Sequence, residues 1–198
     1  MLVFWKERLV FLAVPKTGTQ AFAAALGPRA SMAVNDPPEL KHSPIYRYNR
    51  FFRPMFDKMG AEMETLAVVR EPVDWLGSWY RYRQRPFLNG KPTSTENITF
   101  DAFVNAYLMG DRPPFANVGS QSKFLEPRPN GLTCTHIFAY EAQEALLAFL
   151  ENRLQTRITL PLRNASPKAP LDLEPKTDAK LRRKCAPEFE LWQNARRA

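Results

Sequence analysis

Cysteine and histidine are scarce in this sequence, which has two of each among its 198 residues. Two cysteines, Cys134 and Cys185, make neither the disulfide framework of a small secreted protein nor a cysteine-rich metal site. Two histidines likewise exclude a histidine-rich metal centre. We therefore expect a protein that works without a bound metal ion.

Long hydrophobic runs are absent as well. No apolar stretch approaches the ~18 residues that a transmembrane helix requires. The apolar residues at the start of the sequence are interrupted by Lys6, Glu7 and Arg8, which argues against a signal peptide. We expect no transmembrane segment and a cytoplasmic location.

Proline and positive charge are abundant instead. Eighteen prolines predict long loops, and 44% hydrophobic residues are enough to fill a core. The length suits a single domain over residues 1–198, with a helical, charged tail from about residue 174 to 198. A net charge of +8 favours an anionic partner, such as a nucleotide, a polyanionic sugar, a nucleic acid or a membrane surface.

Two apolar runs are each followed by a turn and a helix. Residues 9–14 have the pattern of a strand covered on both faces in a parallel sheet, and the turn at 15–20 leads into a helix over 19–27. Residues 65–69 form a second such strand, which ends at Arg70 before another helix. This alternation predicts a three-layer α/β domain with a central, mainly parallel sheet. Ligands bind at the carboxyl ends of such strands, so we expect the two turns to face the same crevice.

Other segments predict further helices and strands. A helix should begin with Ser43 as its N-cap, be disturbed at Pro54 and end near Gly60. Its aromatic residues are best explained as one buried face: Tyr46, Tyr48, Phe51 and Phe52. Helices are also expected over TFDAFVNAYLM and AQEALLAFLENRL, and strands over LTCTHIFAYE and at the start of ITLPLRNASPKAP. His136, in the first of these strands, is expected to be a packed or edge-strand residue.

The turn PKTGTQ has the composition of an anion-binding loop. Backbone N–H groups at the start of the next helix, the Lys16 ammonium and the hydroxyls of Thr17 and Thr19 can surround a phosphate. The triphosphate motif G-x-x-x-x-G-K-[ST] is not present, since the only glycine follows the lysine and no Lys-Ser/Thr pair opens the helix to position magnesium. Taken alone, the stretch is equally well explained as a turn with an exposed lysine.

A second candidate anion site follows the strand over 65–69. Arg70 offers a planar fork of donors to a phosphate, and Ser78, eight positions later in the next helix, adds a hydroxyl. The alternative is a surface arginine paired with Glu71 or Asp74. For either residue alone, that alternative is the better explanation.

Together the segments LVFLAVPKTGTQ and LAVVREPVDWLGSWYRYRQR resemble the sulfotransferases that use 3′-phosphoadenosine 5′-phosphosulfate (PAPS). In that family a PK-[ST]-G-[ST] turn wraps the 5′-phosphosulfate, and a later arginine, with a serine eight residues on, binds the 3′-phosphate. The resemblance implies a fold related to the nucleotide kinases and PAPS as co-substrate, without a metal. It implies these cofactor-binding residues: Pro15, Lys16, Thr17, Gly18, Thr19, Gln20, Arg70 and Ser78. Glu71 departs from the family's usual aspartate or asparagine, a mild change because the arginine makes the contact.

Weaker resemblances to the carbohydrate-type and bacterial members follow in the expected order. They are the segments LKHSPIYRYNRFF, GSQSKFLEP, THIFAYE and LPLRNASP. The resemblance makes Lys16 and His42 the catalytic residues, with Lys16 at the leaving oxygen and His42 as the base for the acceptor hydroxyl. Glu39 is the reserve base. The implied reaction moves a sulfuryl group from PAPS to an acceptor hydroxyl, with an acidic saccharide among the acceptors considered and no specific nucleic-acid partner.

Two functions of other classes stay open on the sequence. A non-catalytic binder of nucleic acid or of a heparin-like chain fits the charge and the mixed aromatic and basic segments YRYNRFFRP and WYRYRQRP. It does not explain why Lys16 and Arg70 each follow a strand. A small-molecule kinase is weakened by the missing magnesium ligand in the turn. The sequence does not identify the acceptor, because a lipid or a small alcohol fits as well as an acidic sugar.

Overall fold

The computed structural model describes residues 1–161 and 170–198. Within these ranges the protein belongs to the α/β class, with an open five-stranded sheet and helices around it. The chain forms two compact units. The described residues of the first unit are 1–70, 121–161 and 194–198, and those of the second are 71–120 and 170–193. The expectation of one sulfotransferase-like domain over the whole chain stays a prediction.

Strands and helices alternate along most of the described chain. The strands are β1 (Leu2–Phe4), β2 (Leu9–Phe11), β3 (Met32–Ala33), β4 (Glu64–Val69) and β5 (His136–Ala139). The α-helices are α1 (Thr19–Leu26), α2 (Pro38–Lys41), α3 (Ile45–Arg47), α4 (Arg53–Lys58), α5 (Pro72–Arg83), α6 (Phe100–Tyr107), α7 (Gln121–Phe124), α8 (Gln143–Leu154), α9 (Pro175–Lys184) and α10 (Ala186–Gln193). Short 3₁₀ turns cover Gly27–Arg29 and Pro86–Leu88, and a π turn covers Tyr48–Phe52.

The sheet of the first unit is mixed and has the strand order β3-β1-β2-β4-β5. β1 pairs antiparallel with β2 and with β3, whereas β2 pairs parallel with β4, and β4 with β5. Four of the five strands in the described chain therefore point the same way. Because β2, β4 and β5 are adjacent and parallel, their carboxyl ends meet at one edge of the sheet.

Both apolar runs form strands, but β2 covers only Leu9–Phe11 of the predicted 9–14, whereas β4 lies within one residue of the predicted 65–69. The pairing of β2 with β4 extends one residue beyond the strand, since the Leu12 N–H donates to the Leu66 carbonyl (2.8 Å). All residues of β4 from 65 to 69 are buried, which confirms a strand covered on both faces. β1 and β3 were not predicted, because three and two residues are too short to give a periodic signal.

The core of the first unit lies between the sheet and two helices, α1 and α8. α8 buries Leu146, Leu150 and Leu154, which are spaced four residues apart and so share one helix face. On α1 the Phe22 ring meets the Phe11 ring of β2 edge-on, with 5.4 Å between centroids. The cluster comprises Leu2, Phe4, Leu9, Phe11, Phe22, Leu26, Leu66, Val68, Phe138, Leu146, Leu150 and Leu154.

A helical segment runs from α3 through the π turn into α4. Its inner face carries Ile45, Tyr48 and Phe56, which are at most 3% exposed. Pro54 lacks an N–H and cannot complete the ordinary helical ladder, and the wider π turn directly precedes its helix. The predicted disturbance at Pro54 is therefore confirmed, and so is the end of the helix near Gly60.

Two details predicted for this segment are wrong. Tyr46 and Phe51 are exposed. Two helical positions after Tyr46 the chain has turned by about 200°, so Tyr46 points away from the face of Tyr48, and the wider π turn displaces Phe51 from that face. Ser43 does not cap the helix, since its hydroxyl donates backwards to the Leu40 carbonyl (2.8 Å) and Pro44 occupies the N-cap position.

The second unit consists of helices and loops around its own core. α5 begins after Glu71, whose carboxylate accepts the N–H of Asp74 (2.8 Å) and caps the helix. α9 and α10 occupy the region where a helical tail is expected. The buried core comprises Trp75, Leu76, Tyr80, Phe100, Phe103, Val104, Ala106, Tyr107, Leu108, Ala116, Val118, Leu181 and Phe189.

Two further predictions concern the region around residue 160. The strand expected at the start of ITLPLRNASPKAP does not form, since residues 158–160 have no strand pairing in the described chain. The late element that contains Asn164 and Ser166 lies outside the described residues.

None of the helices within residues 1–161 and 170–198 has the length and apolar character needed to cross a membrane.

The outer edge of β5 is covered by the last residues of the sequence. The Arg196 N–H donates to the Ile137 carbonyl (2.8 Å), and the Ala139 N–H donates to the Arg196 carbonyl (3.0 Å). The Arg196 guanidinium also lies 4.8 Å from the centre of the Phe138 ring. Residues 194–198 therefore belong to the first unit although the helix before them belongs to the second.

A cluster of charged side chains joins β4, β5 and α8. The Glu64 carboxylate accepts from His136 Nε2 (2.9 Å) and from Arg153 Nη2 (2.8 Å). The His136 hydrogen bond, assisted by Arg153, holds the pKa of Glu64 below its ordinary value against the opposing effect of burial. His136 is thus a packed strand residue, as predicted, with its ring 4.8 Å from that of Phe149.

Glu64→Gln should lower the melting temperature at pH 7, because it removes the anion that His136 and Arg153 contact. A depressed carboxyl pKa contributes stability that is present above the unfolded-state pKa and is lost as the pH falls through the folded-state value. The difference in melting temperature between wild type and Glu64→Gln should therefore become smaller as the pH is lowered from 7 to 3. Thermal unfolding followed by circular dichroism measures it, with Glu62→Gln, an exposed carboxylate two residues earlier, as the control. A difference that persists unchanged at pH 3 would contradict this account.

Candidate anion-binding site

The turn after β2 has a backbone that few sequences adopt. Lys16 and Gly18 have positive φ angles of 68° and 76°, and α1 begins directly afterwards at Thr19. A left-handed conformation is unstrained for Gly18, which has no Cβ, and it aims the chain into the helix. The N–H groups at the start of α1 precede its regular i to i−4 ladder, and the Ala21 N–H donates to the Gly18 carbonyl (3.0 Å). The turn therefore presents backbone donors next to the cationic side chain of Lys16.

The threonines of the turn have different surroundings. Thr17 is fully buried, and its hydroxyl donates to the Val14 carbonyl (2.9 Å), which closes the turn. A contact from Thr17 to a bound anion would therefore come from its backbone N–H. Thr19 is also buried, whereas Gly18 and Gln20 are exposed.

His42 lies beside the same turn. It directly follows α2, and its Nδ1 lies 2.7 Å from the carbonyl oxygen of Ala13 at the end of β2. A carbonyl only accepts, so Nδ1 must carry the proton. In the neutral ring Nε2 then carries the lone pair.

The surroundings of His42 favour its neutral form. Burial lowers its pKa most, and the nearby positive charges of Lys41 and the Met1 amino group lower it further. The hydrogen bond to Ala13 acts in the opposite direction but does not prevail. With a pKa below its ordinary value of 6.5, His42 is predominantly neutral at pH 7.

The backbone of Arg70 is held by a buried glutamine. The side-chain oxygen of Gln121 accepts the Arg70 N–H (2.9 Å), and the side-chain nitrogen of Gln121 donates to the Arg70 carbonyl (2.9 Å). This amide pairs with the residue after β4 as a neighbouring strand would. Gln121 is 1% exposed, so both bonds are shielded from water.

The side chain of Arg70 reaches the turn after β2. Its Nη1 lies 3.4 Å from the Lys16 carbonyl oxygen, and its guanidinium carbon lies 4.5 Å from the centre of the Tyr140 ring. Tyr140 follows β5, and its N–H donates to the Val69 carbonyl (2.7 Å). A Cβ added to Gly18 would lie 3.2 Å from Tyr140 Cε2. The Tyr140 ring thus touches both the turn at Gly18 and the Arg70 guanidinium.

The structure brings most of the predicted site residues together in the first unit. The turn, His42 and Arg70 all lie at the carboxyl ends of β2 and β4, as expected. Ser78 belongs to the second unit, where it is buried on α5. Glu39 lies on α2 with an exposed side chain. Of the two candidate bases, only His42 has a described contact with the end of β2.

Two cavities of the first unit differ in their relation to this arrangement. A narrow one of about 10 Å³ adjoins Ala13, Thr19 and Lys41, next to the turn. A larger one of about 390 Å³ contains none of the predicted site residues. Its lining includes residues 60–63, just before β4, and so belongs to the opposite edge of the sheet. The strand carboxyl ends are the better candidate site, because several donors converge there.

Gln121 and Tyr140 are parts of the site that sequence reasoning did not assign. Both lie in segments that resemble the family, GSQSKFLEP and THIFAYE, but that resemblance gave no role to either residue. For Tyr140 a positional signal exists, since it lies near the carboxyl end of the predicted strand LTCTHIFAYE and so belongs to the same edge of the sheet as Arg70. Among the described residues, no group of three or more histidine, cysteine, aspartate or glutamate side chains could hold a metal ion.

Comparison of the chain with family models, with curated proteins and with solved structures found no match in any of the three. The function must therefore be argued from the residues and geometry of the site.

Gly18→Ala should destabilise the protein by about 1–2 kcal/mol, because an L-residue is strained at this φ and the new methyl would crowd Tyr140. Gly27→Ala is the matched control, since Gly27 has φ −53° and open space around its Cβ position. That variant should be neutral or stabilising by up to about 1 kcal/mol. Urea unfolding measures the change in the free energy of unfolding for both variants. Equal changes would contradict the left-handed conformation described for Gly18.

Proposed function

We propose that this protein is a PAPS-dependent sulfotransferase that moves a sulfuryl group to an acceptor hydroxyl. The observation that carries the proposal is the contact between the two predicted anion sites of the first unit. The Arg70 guanidinium reaches the Lys16 carbonyl at the edge where the parallel strands end. Lys16 and Arg70 were identified by motif alone and are 54 positions apart in the sequence. They are nevertheless neighbours in space.

The proposal includes a finer assignment of the fold. We assign the chain to the three-layer, P-loop-kinase-like architecture of the sulfotransferases. The adjacent parallel strands β2, β4 and β5 support this assignment, because each of the first two leads into a helix through a turn that bears a cation. The exposed position of Gly18 supports it as well, since an oxygen-rich group can approach the backbone where no Cβ intervenes.

Each residue of the turn then has a defined task toward the donor. Lys16 and the first N–H groups of α1 bind the 5′-phosphosulfate, and Lys16 stabilises the negative charge that builds on the leaving oxygen. Arg70 binds the 3′-phosphate with its guanidinium fork. The part of Ser78 in this step rests on the sequence spacing alone.

His42 is the proposed base. Its Nδ1 proton is committed to Ala13, so Nε2 is the atom that accepts the proton of the acceptor hydroxyl. The lowered pKa keeps this nitrogen unprotonated at neutral pH. Glu39 is less suited to the role, because it is solvent-exposed and has no described contact with the turn. An acidic saccharide, a lipid or a small alcohol would each provide the hydroxyl.

The donor site is tested by Arg70→Ala and ligand-induced thermal shifts. Wild type should be stabilised by adenosine 3′,5′-bisphosphate without added metal. The variant should lose about 2–4 kcal/mol of binding free energy for this ligand, because a charge-assisted partner of the 3′-phosphate is removed. Binding of adenosine 5′-phosphosulfate, which lacks that phosphate, should change little.

Two controls make this experiment specific. Arg50→Ala removes the same charge from an exposed position and should leave both affinities nearly unchanged. ATP with magnesium should stabilise wild type much less than the bisphosphate does. If ATP with magnesium stabilised wild type as much as the bisphosphate does, a kinase would be favoured. If Arg70→Ala lost affinity equally for the bisphosphate and for adenosine 5′-phosphosulfate, the role of Arg70 would be purely structural.

The base is tested by His42→Ala with an acceptor found by screening with labelled PAPS. Turnover should fall about 10²–10⁴-fold, while the thermal shift with adenosine 3′,5′-bisphosphate is retained. Because the pKa of His42 is lowered, the midpoint of the decline of the wild-type rate toward acid pH should lie below 6.5. A pH-rate profile measures this.

The second histidine provides the matched control for this variant. His136→Ala removes an imidazole that contacts Glu64 on β4, and turnover in the folded protein should be retained. Near-normal turnover in His42→Ala would remove His42 from the mechanism and leave Glu39 as the candidate base.

A further inference from the structure

The large apolar side chains at the surface are concentrated in one segment. Seven large hydrophobic residues of the described chain are exposed, and five of them lie between residues 40 and 59. They are Leu40 (38% exposed), Tyr46 (43%), Phe51 (56%), Met55 (42%) and Met59 (63%). We refer to these five residues as the 40–59 face.

Three of the five side chains share one side of the helical segment. Phe51, Met55 and Met59 follow one another at the four-residue spacing of an ordinary helix face. Tyr46 precedes the π turn on α3, and Leu40 lies on α2.

The exposure does not result from a loosely packed helix. The opposite side of the same segment is anchored by the fully buried Ile45 and Tyr48 and by Phe56, whose ring lies 6.3 Å from that of Tyr48. The segment therefore has one apolar side in the core and a second apolar side in solvent.

Basic residues are frequent in the same segment. Residues 40–59 contain five lysines and arginines and one carboxylate. That carboxylate, Asp57, already pairs with Arg53 (3.5 Å). The Arg50 guanidinium lies 5.3 Å from the centre of the Phe51 ring, so a positive charge lies directly beside one of the exposed apolar groups.

We propose that the 40–59 face docks on an anionic lipid bilayer, with its apolar side chains among the headgroups and its cations against lipid phosphates. Apolar groups on one side with basic residues beside them are what an interfacial helix requires. A saccharide is a poorer occupant, because leucine and methionine side chains provide no hydrogen-bond partners for hydroxyl groups. The proposal concerns a surface and does not depend on the proposed transfer reaction.

Vesicle flotation tests the docking. Wild type should bind vesicles that contain phosphatidylglycerol, bind pure phosphatidylcholine vesicles at least about tenfold more weakly, and be released by high salt. Phe51→Ser/Met55→Ser should weaken binding to the anionic vesicles about tenfold or more, because apolar area is no longer buried. Arg50→Gln/Lys58→Gln should weaken it by about fivefold for each charge removed.

The second unit offers a matched control for the apolar change. Phe87 and Met109 are each 56% exposed, so Phe87→Ser/Met109→Ser removes comparable exposed groups elsewhere in the chain. This variant should bind the anionic vesicles like wild type. All variants should keep the thermal shift with adenosine 3′,5′-bisphosphate, which separates a failure of this proposal from a failure of the proposed function.

Four outcomes would overturn the docking proposal. The first is an absence of preference for anionic over neutral vesicles. The second is an equal loss of binding in both apolar double variants. The third is vesicle binding that depends on Arg50 and Lys58 but not on Phe51 and Met55, which would indicate a general polyanion site. The fourth is a wild-type dimer that Phe51→Ser/Met55→Ser converts to a monomer without any vesicle binding, which would make a second copy of the chain the occupant.

Discussion

The candidate site depends on one constraint, which is that β2, β4 and β5 are parallel neighbours and end at the same edge of the sheet. Each strand delivers one part there: the Lys16 turn, Arg70 and Tyr140. Side chains then fix the parts relative to one another. The Gln121 amide holds the Arg70 backbone, the Tyr140 ring lies against the guanidinium, and His42 bonds the end of β2. No single contact is strong, but together they leave the cations few alternative positions.

Much of this arrangement follows from local sequence patterns. Unbroken apolar runs at 9–14 and 65–69 identify buried strands, and the residue after each strand is then placed by sheet geometry. The role of Gln121 could not be predicted in this way, because a hydrogen bond between residues 51 positions apart leaves no periodic pattern in the sequence. β1 and β3 were not predicted, because strands of two or three residues form by pairing with the rest of the sheet and carry too little intrinsic strand propensity to be recognised in the sequence.

The segment from residue 40 to 59 shows how a small backbone change alters a surface. The sequence assigned the aromatic residues of positions 46–52 to one buried face, but of these only Tyr48 is buried, and the π turn displaces Phe51 into the solvent. Pro54 is the feature of the sequence that points to such a turn, but it does not specify whether the helix kinks, breaks or widens. The resulting surface is therefore a property of the fold that the amino-acid pattern alone does not reveal.

The return of Arg196 to the edge of β5 has a consequence for how the protein is made. A ribosome releases the five described strands before the segment that covers the sheet, since that segment comes about 60 residues after β5. During this interval the outer N–H and C=O groups of β5 are not yet hydrogen-bonded to Arg196. An uncovered strand edge is a template on which nascent chains pair with one another. The protein is therefore most prone to aggregation during synthesis in the interval between β5 and the segment around Arg196, when the five strands are present but the outer edge of β5 is not yet covered.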